Sequence, residues 1–143
     1  MILNPAPPSS GSTLPLRHVD VLTPNEVEFA ELTNNSTLRK GSESLLKGGV
    51  EAVIVTLGEK GAFTRSKGSS FTLSPPKVRA VDTTGAGDAF NGALAVALSE
   101  GKEIREAVEF ANAAGALTVT KREVIPALPK RVEVERLLRA ARG

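Results

Sequence analysis

The stretch Val81-Asp82-Thr83-Thr84-Gly85-Ala86-Gly87-Asp88 sets two carboxylates around a loop of small residues. Directly after it, Phe90, Ala93, Leu94, Ala97 and Leu98 recur at helical spacing, so a helix starts at about Ala86. The first backbone N–H groups of a helix lack intrahelical partners, and their partial positive charge suits an anion such as a phosphoryl group. Gly85 and Gly87 admit backbone conformations and close approaches that side chains would block. Asp88 falls in the first helical turn, where a carboxylate can accept the proton of a hydroxyl attacking phosphorus. A plainer reading stays open at this point. An Asp so placed stabilises a helix by roughly 0.3–1 kcal/mol through the dipole alone, and glycines between strand and helix are common turn residues.

The elements that must hold this loop follow from periodicity and breakers. Ala52 to Leu57 is a continuous, β-branched run ended by Gly58, as expected of a parallel strand buried on both faces. His18 to Leu22 alternates and predicts a short strand ended by Thr23-Pro24. Asn25 caps a predicted helix to about Leu32, with Val27, Phe29, Ala30 and Leu32 available for burial. A second helix is expected from about Thr37 to Lys47, stopping at Gly48-Gly49. Gly61 to Leu73 reads as a hairpin turning near Ser66–Ser70, and Lys77 to Val81 as a further short strand. Helical spacing returns at Ile104, Ala107, Val108, Ala111 and Ala114, and again at Val134, Leu137, Leu138 and Ala141. Strands alternating with helices predict one α/β domain over residues 1–143 with a mostly parallel sheet. Only Pro5 to Pro15 reads as a linker.

Composition narrows the function. The chain has 143 residues, no Cys, no Trp, no Tyr and five Phe, so its core is aliphatic and neither a disulfide framework nor a thiolate metal site is available. A net charge of +2 is too small and too evenly spread for a nucleic-acid footprint, and the scarcity of aromatics argues against base stacking. The first residues show no charged n-region with an apolar run, and no stretch is long enough to span a bilayer. The expected setting is cytoplasmic, with no membrane or nucleic-acid partner.

Four ordered segments, together with the first residues of the chain, resemble the ribokinase-like (PfkB-type) carbohydrate kinase family. Asp82 to Asp88, continued by Ala89-Phe90-Asn91-Gly92-Ala93-Leu94, agrees with the family's second signature. Thr23-Pro24-Asn25-Glu26-Val27-Glu28 is similar to its N-x-x-E motif, and Val55-Thr56-Leu57-Gly58-Glu59-Lys60-Gly61 to its nucleotide-binding turn. Phe110 to Ala114 with Pro126-Ala127-Leu128-Pro129 resembles its adenine and cation region, and Leu3-Asn4-Pro5-Ala6-Pro7 its N-P-A-P segment. The resemblance implies a three-layer α/β/α fold and an ATP- and Mg²⁺-dependent kinase acting on a sugar hydroxyl. It makes Asp88 the catalytic base, and Gly85, Ala86 and Gly87 the anion hole. Asn25 and Glu28 would place Mg²⁺ and phosphates directly or through water. Thr56, Gly58 and Gly61 would line the nucleotide, and Asn112 would lie at the adenine. Asp82 and Thr84, with carbonyls from residues 116–126, would form a monovalent-cation (K⁺) site.

Plainer readings stand beside these. N-x-x-E is also a helix capping box, Gly58 and Gly61 serve equally as turn glycines, and an Asn on a helix is often a solvated face. The resemblance covers only the second half of the family pattern. The first signature, the sugar-binding Asp and Asn residues and the small β-lid have no counterpart in these residues. Two alternatives therefore accompany the kinase reading: a nucleotide-binding fragment without turnover, and an interaction module that completes its sheet with another chain. The sheet should present a bare edge near Met1–Asn4, which predicts a homodimer or another covering chain.

Overall fold

A computed structural model describes residues 1–5, 16–121 and 129–142. The chain folds as two compact units, Met1–Thr72 and Leu73–Gly143.

The first unit is built on a five-stranded sheet whose strands lie in chain order: β1 (Ile2–Leu3), β2 (Val21–Leu22), β3 (Ala52–Thr56), β4 (Ala62–Ser66) and β5 (Ser69–Leu73), the last residue of β5 passing into the second unit. β1, β2 and β3 run parallel, with Ile2 opposite Val21 and Val21 opposite Ala52. β4 then returns antiparallel to β3, pairing Val53 with Arg65 and Val55 with Phe63. The β4–β5 hairpin agrees with the sequence pattern and turns at Lys67-Gly68. β3 is the centre of the sheet: Val53, Ile54 and Val55 are completely buried, as their uninterrupted β-branched run predicts. Helices α1 (Glu26–Leu32) and α2 (Leu38–Lys47) fall where caps and periodicity place them. Asn34 and Asn35 make the turn between them in the left-handed region, which Asn tolerates better than most residues. Val19, Leu22, Phe29, Leu45, Val50, Val53 and Val55 form the core cluster of this unit.

Two local expectations are corrected here. The strand expected at His18–Leu22 is cut to Val21–Leu22, because Leu16–His18 is a 3₁₀ turn closed by a Val19 N–H bond to the Leu16 carbonyl. The N–H groups of Asp20 and Val21 both reach the Met1 carbonyl, so pairing begins only there. Val27, expected to be available for burial, is 65% exposed, and the buried residues of α1 are Glu28 and Phe29.

The second unit is helical: α3 (Ala86–Ser99), α4 (Ile104–Thr118) and α5 (Arg131–Arg142). The strand expected at Lys77–Val81 does not form. Pro75 and Pro76 offer no N–H, and the N–H groups of Val81 and Asp82 bond instead to the Val119 carbonyl just past α4, at 2.6 and 3.0 Å. α4 buries an almost unbroken run of small residues, among them Ala107, Ala111, Ala113, Ala114 and Ala116. That run lets α3 approach closely: a Cβ on Gly115 would stand 3.4 Å from the carbonyl oxygen of Ala86, the first residue of α3.

α5 packs through Val134 and carries several ion pairs. Val134 is its buried residue, whereas Arg131 forks onto Glu100 past the end of α3 and lies 5.7 Å from the centroid of the Phe110 ring. Lys121 pairs with Glu133 and Arg142 with Glu109. The fork holds the Glu100 carboxyl below the usual carboxylate range and raises the Arg131 guanidinium. The Glu133 carboxyl is lowered chiefly by accepting the Lys130 N–H. Among the described residues no helix is long and apolar enough to cross a membrane. The Pro5–Pro15 linker, apart from Pro5, lies outside the described residues.

Candidate active site

In the first unit the predicted residues gather at the carboxyl ends of β2 and β3, the end of a parallel sheet at which α/β proteins hold ligands. β2 leads through Thr23-Pro24 to Asn25, and Asn25 and Thr56 form an isolated parallel bridge. The Thr56 N–H donates to the Pro24 carbonyl at 3.0 Å, fastening the two strand ends together. Asn25 caps α1. Its Oδ1 accepts from the Glu28 N–H, and Glu28 Oε2 accepts from the Asn25 N–H, both at 2.8 Å. The N-x-x-E pair is thus a complete capping box, which explains how a Glu only 5% exposed is accommodated at the start of a helix. The box engages one oxygen of each side chain. Asn25 Nδ2 and Glu28 Oε1 lie outside it.

β3 ends in a tight loop in which the Leu57 N–H bonds to the Gly61 carbonyl and the Gly61 N–H to the Gly58 carbonyl. Gly58 and Gly61 both have positive φ, +61° and +97°, so the turn itself demands glycine at each. A Cβ on Gly58 would meet nothing within 4 Å among the described residues, so its backbone faces open space.

In the second unit the loop before α3 is anchored by the two bonds to Val119 and shaped by Asp82. Asp82 Oδ1 accepts the Thr84 N–H at 2.8 Å, and hydrogen bonding from Thr84 holds its carboxyl below the usual carboxylate range. Gly85 enters the helix at φ +82° with no side-chain cap. The N–H groups of Ala86 and Ala89 bond to the carbonyls of Thr83 and Gly85. Among the described residues nothing accepts from the N–H groups of Gly87 and Asp88. Asp88 itself stands exposed in this first turn. Two undirected donors beside an accessible carboxylate are the ingredients of an anion site with a proton acceptor at its rim.

Asn112 departs from the solvated-face reading. It is 5% exposed, so it is no solvated face, and its Nδ2 donates to the Leu73 carbonyl at 2.9 Å, tying α4 to the end of β5. Sequence reasoning missed this clasp, and also Val119, whose carbonyl anchors the loop before α3. A residue that acts through its backbone leaves no signal in its side-chain type. Of the cation site, Asp82 and Thr84 form one turn. Residues 122–126 of the proposed carbonyl set, and Pro126-Ala127-Leu128 of the C-terminal motif, lie outside the described residues. Among the described residues no group of three or more His, Asp or Glu is placed to hold a metal.

In the first unit the motif-bearing loops follow the carboxyl ends of β2 and β3, and in the second the remaining motif loop leads into α3. The chain belongs to the pfkB family of carbohydrate kinases, whose pattern matches residues 1–131. It is 38% identical to the ribokinase of Haemophilus influenzae over 99% of its own length and 48% of that protein. The crystal structure of Thermotoga maritima ribokinase superposes with a TM-score of 0.89 at 43% identity, covering 96% of this chain and 48% of that one. Arabidopsis thaliana ribokinase, solved with ribose and ATP, gives 0.82 at 38% identity, covering 96% and 46%. Further matched chains include one solved with ATP and Mg²⁺ and one with fructose, ADP and a potassium ion. The chain spans about half the length of the curated relatives it matches.

Proposed function

We propose that this chain carries the nucleotide-binding and proton-accepting parts of an ATP-dependent sugar kinase. The observation that carries this reading is the start of α3, in a member of a carbohydrate kinase family: undirected N–H groups on Gly87 and Asp88, with the Asp88 carboxylate exposed beside them. Asp88 takes the proton of the sugar hydroxyl as its oxygen bonds to the γ-phosphorus. The bond from the γ-phosphorus to the bridging oxygen breaks, and ADP leaves with that electron pair. The Gly85-Ala86-Gly87 loop forms the anion hole, its open donors being the N–H groups of Gly87 and Asp88 while that of Ala86 is held by the Thr83 carbonyl, and it supplies the charge stabilisation on which phosphoryl transfer chiefly depends. Thr56, Gly58 and Gly61 line the nucleotide, and the open backbone at Gly58 leaves room for it.

Mg²⁺ usually keeps several waters and takes one or two protein carboxylates beside substrate phosphates. Asn25 and Glu28 fit that modest demand, with Glu28 Oε1 outside the capping box. When bound, the ion offsets charge on the phosphates. The acceptor class is a sugar hydroxyl, and the setting cytoplasmic. Asp82 and Thr84 remain the proposed start of a K⁺ site, and Asn112 acts near the adenine through the β5 end that it holds.

Mg·ATP is expected to raise the melting temperature of the chain, by an amount that grows with the logarithm of its concentration above Kd. ADP release that needs added ribose or fructose identifies the kinase. A melting temperature indifferent to Mg·ATP would remove the nucleotide reading altogether. A second reading, nucleotide binding without turnover, predicts the thermal shift with no sugar-dependent ADP release.

Among the described residues β1 is the outermost strand on its side of the sheet, and its Ile2 and Leu3 are only half-buried. An edge strand invites pairing, so we expect a homodimer or another covering chain. Sedimentation of a clean monomer at high concentration would refute this.

A further inference from the structure

α3 begins with residues that hold a helix poorly: Gly87, Asn91 and Gly92 all lie in its first two turns. Asn91 is the informative one. Its side-chain Nδ2 donates to the Gly87 carbonyl at 3.0 Å, while its Oδ1 is buried with no donor among the described residues. The amide is half-buried, and a buried oxygen without a donor is a cost to the fold. Gly87 is open on its side, since a Cβ there would meet nothing within 4 Å among the described residues.

The bond falls on a particular peptide unit. The carbonyl of Gly87 and the N–H of Asp88 belong to one planar group, so holding the oxygen fixes where the N–H points. In an α-helix the Asn91 backbone N–H is directed at that same carbonyl. A carbonyl that accepts twice polarises its peptide and makes the attached N–H a stronger donor. We infer that Asn91 is a positioning residue for the phosphoryl site: its amide fixes the Gly87–Asp88 peptide plane and so aims the Asp88 N–H at the transferring group. This rests on the reading of the α3 start as a phosphate site.

Stability and binding should then move in opposite directions. Asn91→Ala removes the buried unpaired oxygen and installs the best helix former, so the melting temperature should hold or rise. The same variant should bind Mg·ATP about three- to tenfold more weakly, the worth of one ordinary hydrogen bond, with affinity for adenosine unchanged. Asn91→Ser should recover most of the loss, because a helical Ser hydroxyl bonds back to the carbonyl four residues earlier. The experiment is an amide NMR titration of the wild-type chain and both variants, with Mg·ATP and with adenosine, following Gly87 and Asp88. Mg·ATP binding by Asn91→Ala equal to wild type, or equal losses in Ala and Ser, would overturn the positioning role. A wild-type chain whose Gly87 and Asp88 amides ignore Mg·ATP would overturn the phosphate site, and the inference with it.

Discussion

Asp88→Asn is expected to leave Mg·ATP binding within about twofold and to slow phosphoryl transfer to a sugar by about 10²–10⁴-fold, the usual worth of a positioned general base. The two side chains are nearly isosteric, so the first turn of α3 keeps its shape and its two undirected backbone N–H groups. What disappears is a group able to take the hydroxyl proton. The helix also loses a negative charge at its N-terminus, a small effect on stability beside the loss of turnover. ADP release with ribose or fructose, measured beside Mg·ATP affinity, separates the two effects. Turnover by Asp88→Asn at the wild-type rate would remove Asp88 from the reaction. Parallel losses of binding and turnover would make it a ligand-holding residue instead.

Much of this site was legible because its chemistry is local. A helix N-terminus, a capping box and a glycine turn are each set by a few adjacent residues, and each formed where the sequence put it: Asn25 with Glu28, Gly58 with Gly61, and Gly85 ahead of Asp88. The central strand was legible for a related reason, since five β-branched or small apolar residues in a row have few alternatives to the middle of a sheet. Misreadings arose where a distant partner decides. Lys77–Val81 has strand-like residues, but what claims its last N–H is the Val119 carbonyl, a bond invisible to pattern. His18–Leu22 alternates, yet the Met1 carbonyl and the Leu16 turn fix where pairing starts. Asn112 reads as a helix-surface residue until β5 supplies a carbonyl for it to hold. The same limit explains Asn91, whose bond is local but whose unpaired Oδ1 depends on what packs around it.

Gly49→Ala is expected to be a strongly damaging conservative change in the first unit. Gly49 joins α2 to the central strand with φ +115°, a conformation L residues rarely adopt. An added Cβ would stand 2.9 Å from the Cα of Arg17 and 3.3 Å from its N. These are backbone atoms of the 3₁₀ turn ahead of β2, so no side chain can swing aside to make room. Strain of about 1–2 kcal/mol adds to an overpacking cost of about 1–3 kcal/mol. The sum, roughly 2–5 kcal/mol, is a large part of the stability of an ordinary domain. The melting temperature should fall by about 10 °C or more. Gly68→Ala supplies the comparison: its φ is also positive, at +85°, but nothing lies within 4 Å of the added Cβ. It should therefore cost only the strain, and the difference between the two variants measures the clash with Arg17. The consequence reaches the site, because the residues after Gly49 feed β3, whose amides at Glu51 and Ala52 pair with the Asp20 carbonyl. Displacing that entry moves the far end of the strand, where Thr56 and Gly58 lie. Gly49→Ala should therefore weaken Mg·ATP binding even in the fraction that stays folded, whereas Gly68→Ala should not. Thermal unfolding followed by circular dichroism, with and without Mg·ATP, reads both effects. Equal melting temperatures for the two variants would show that the Arg17 turn yields freely and sets nothing at the strand end.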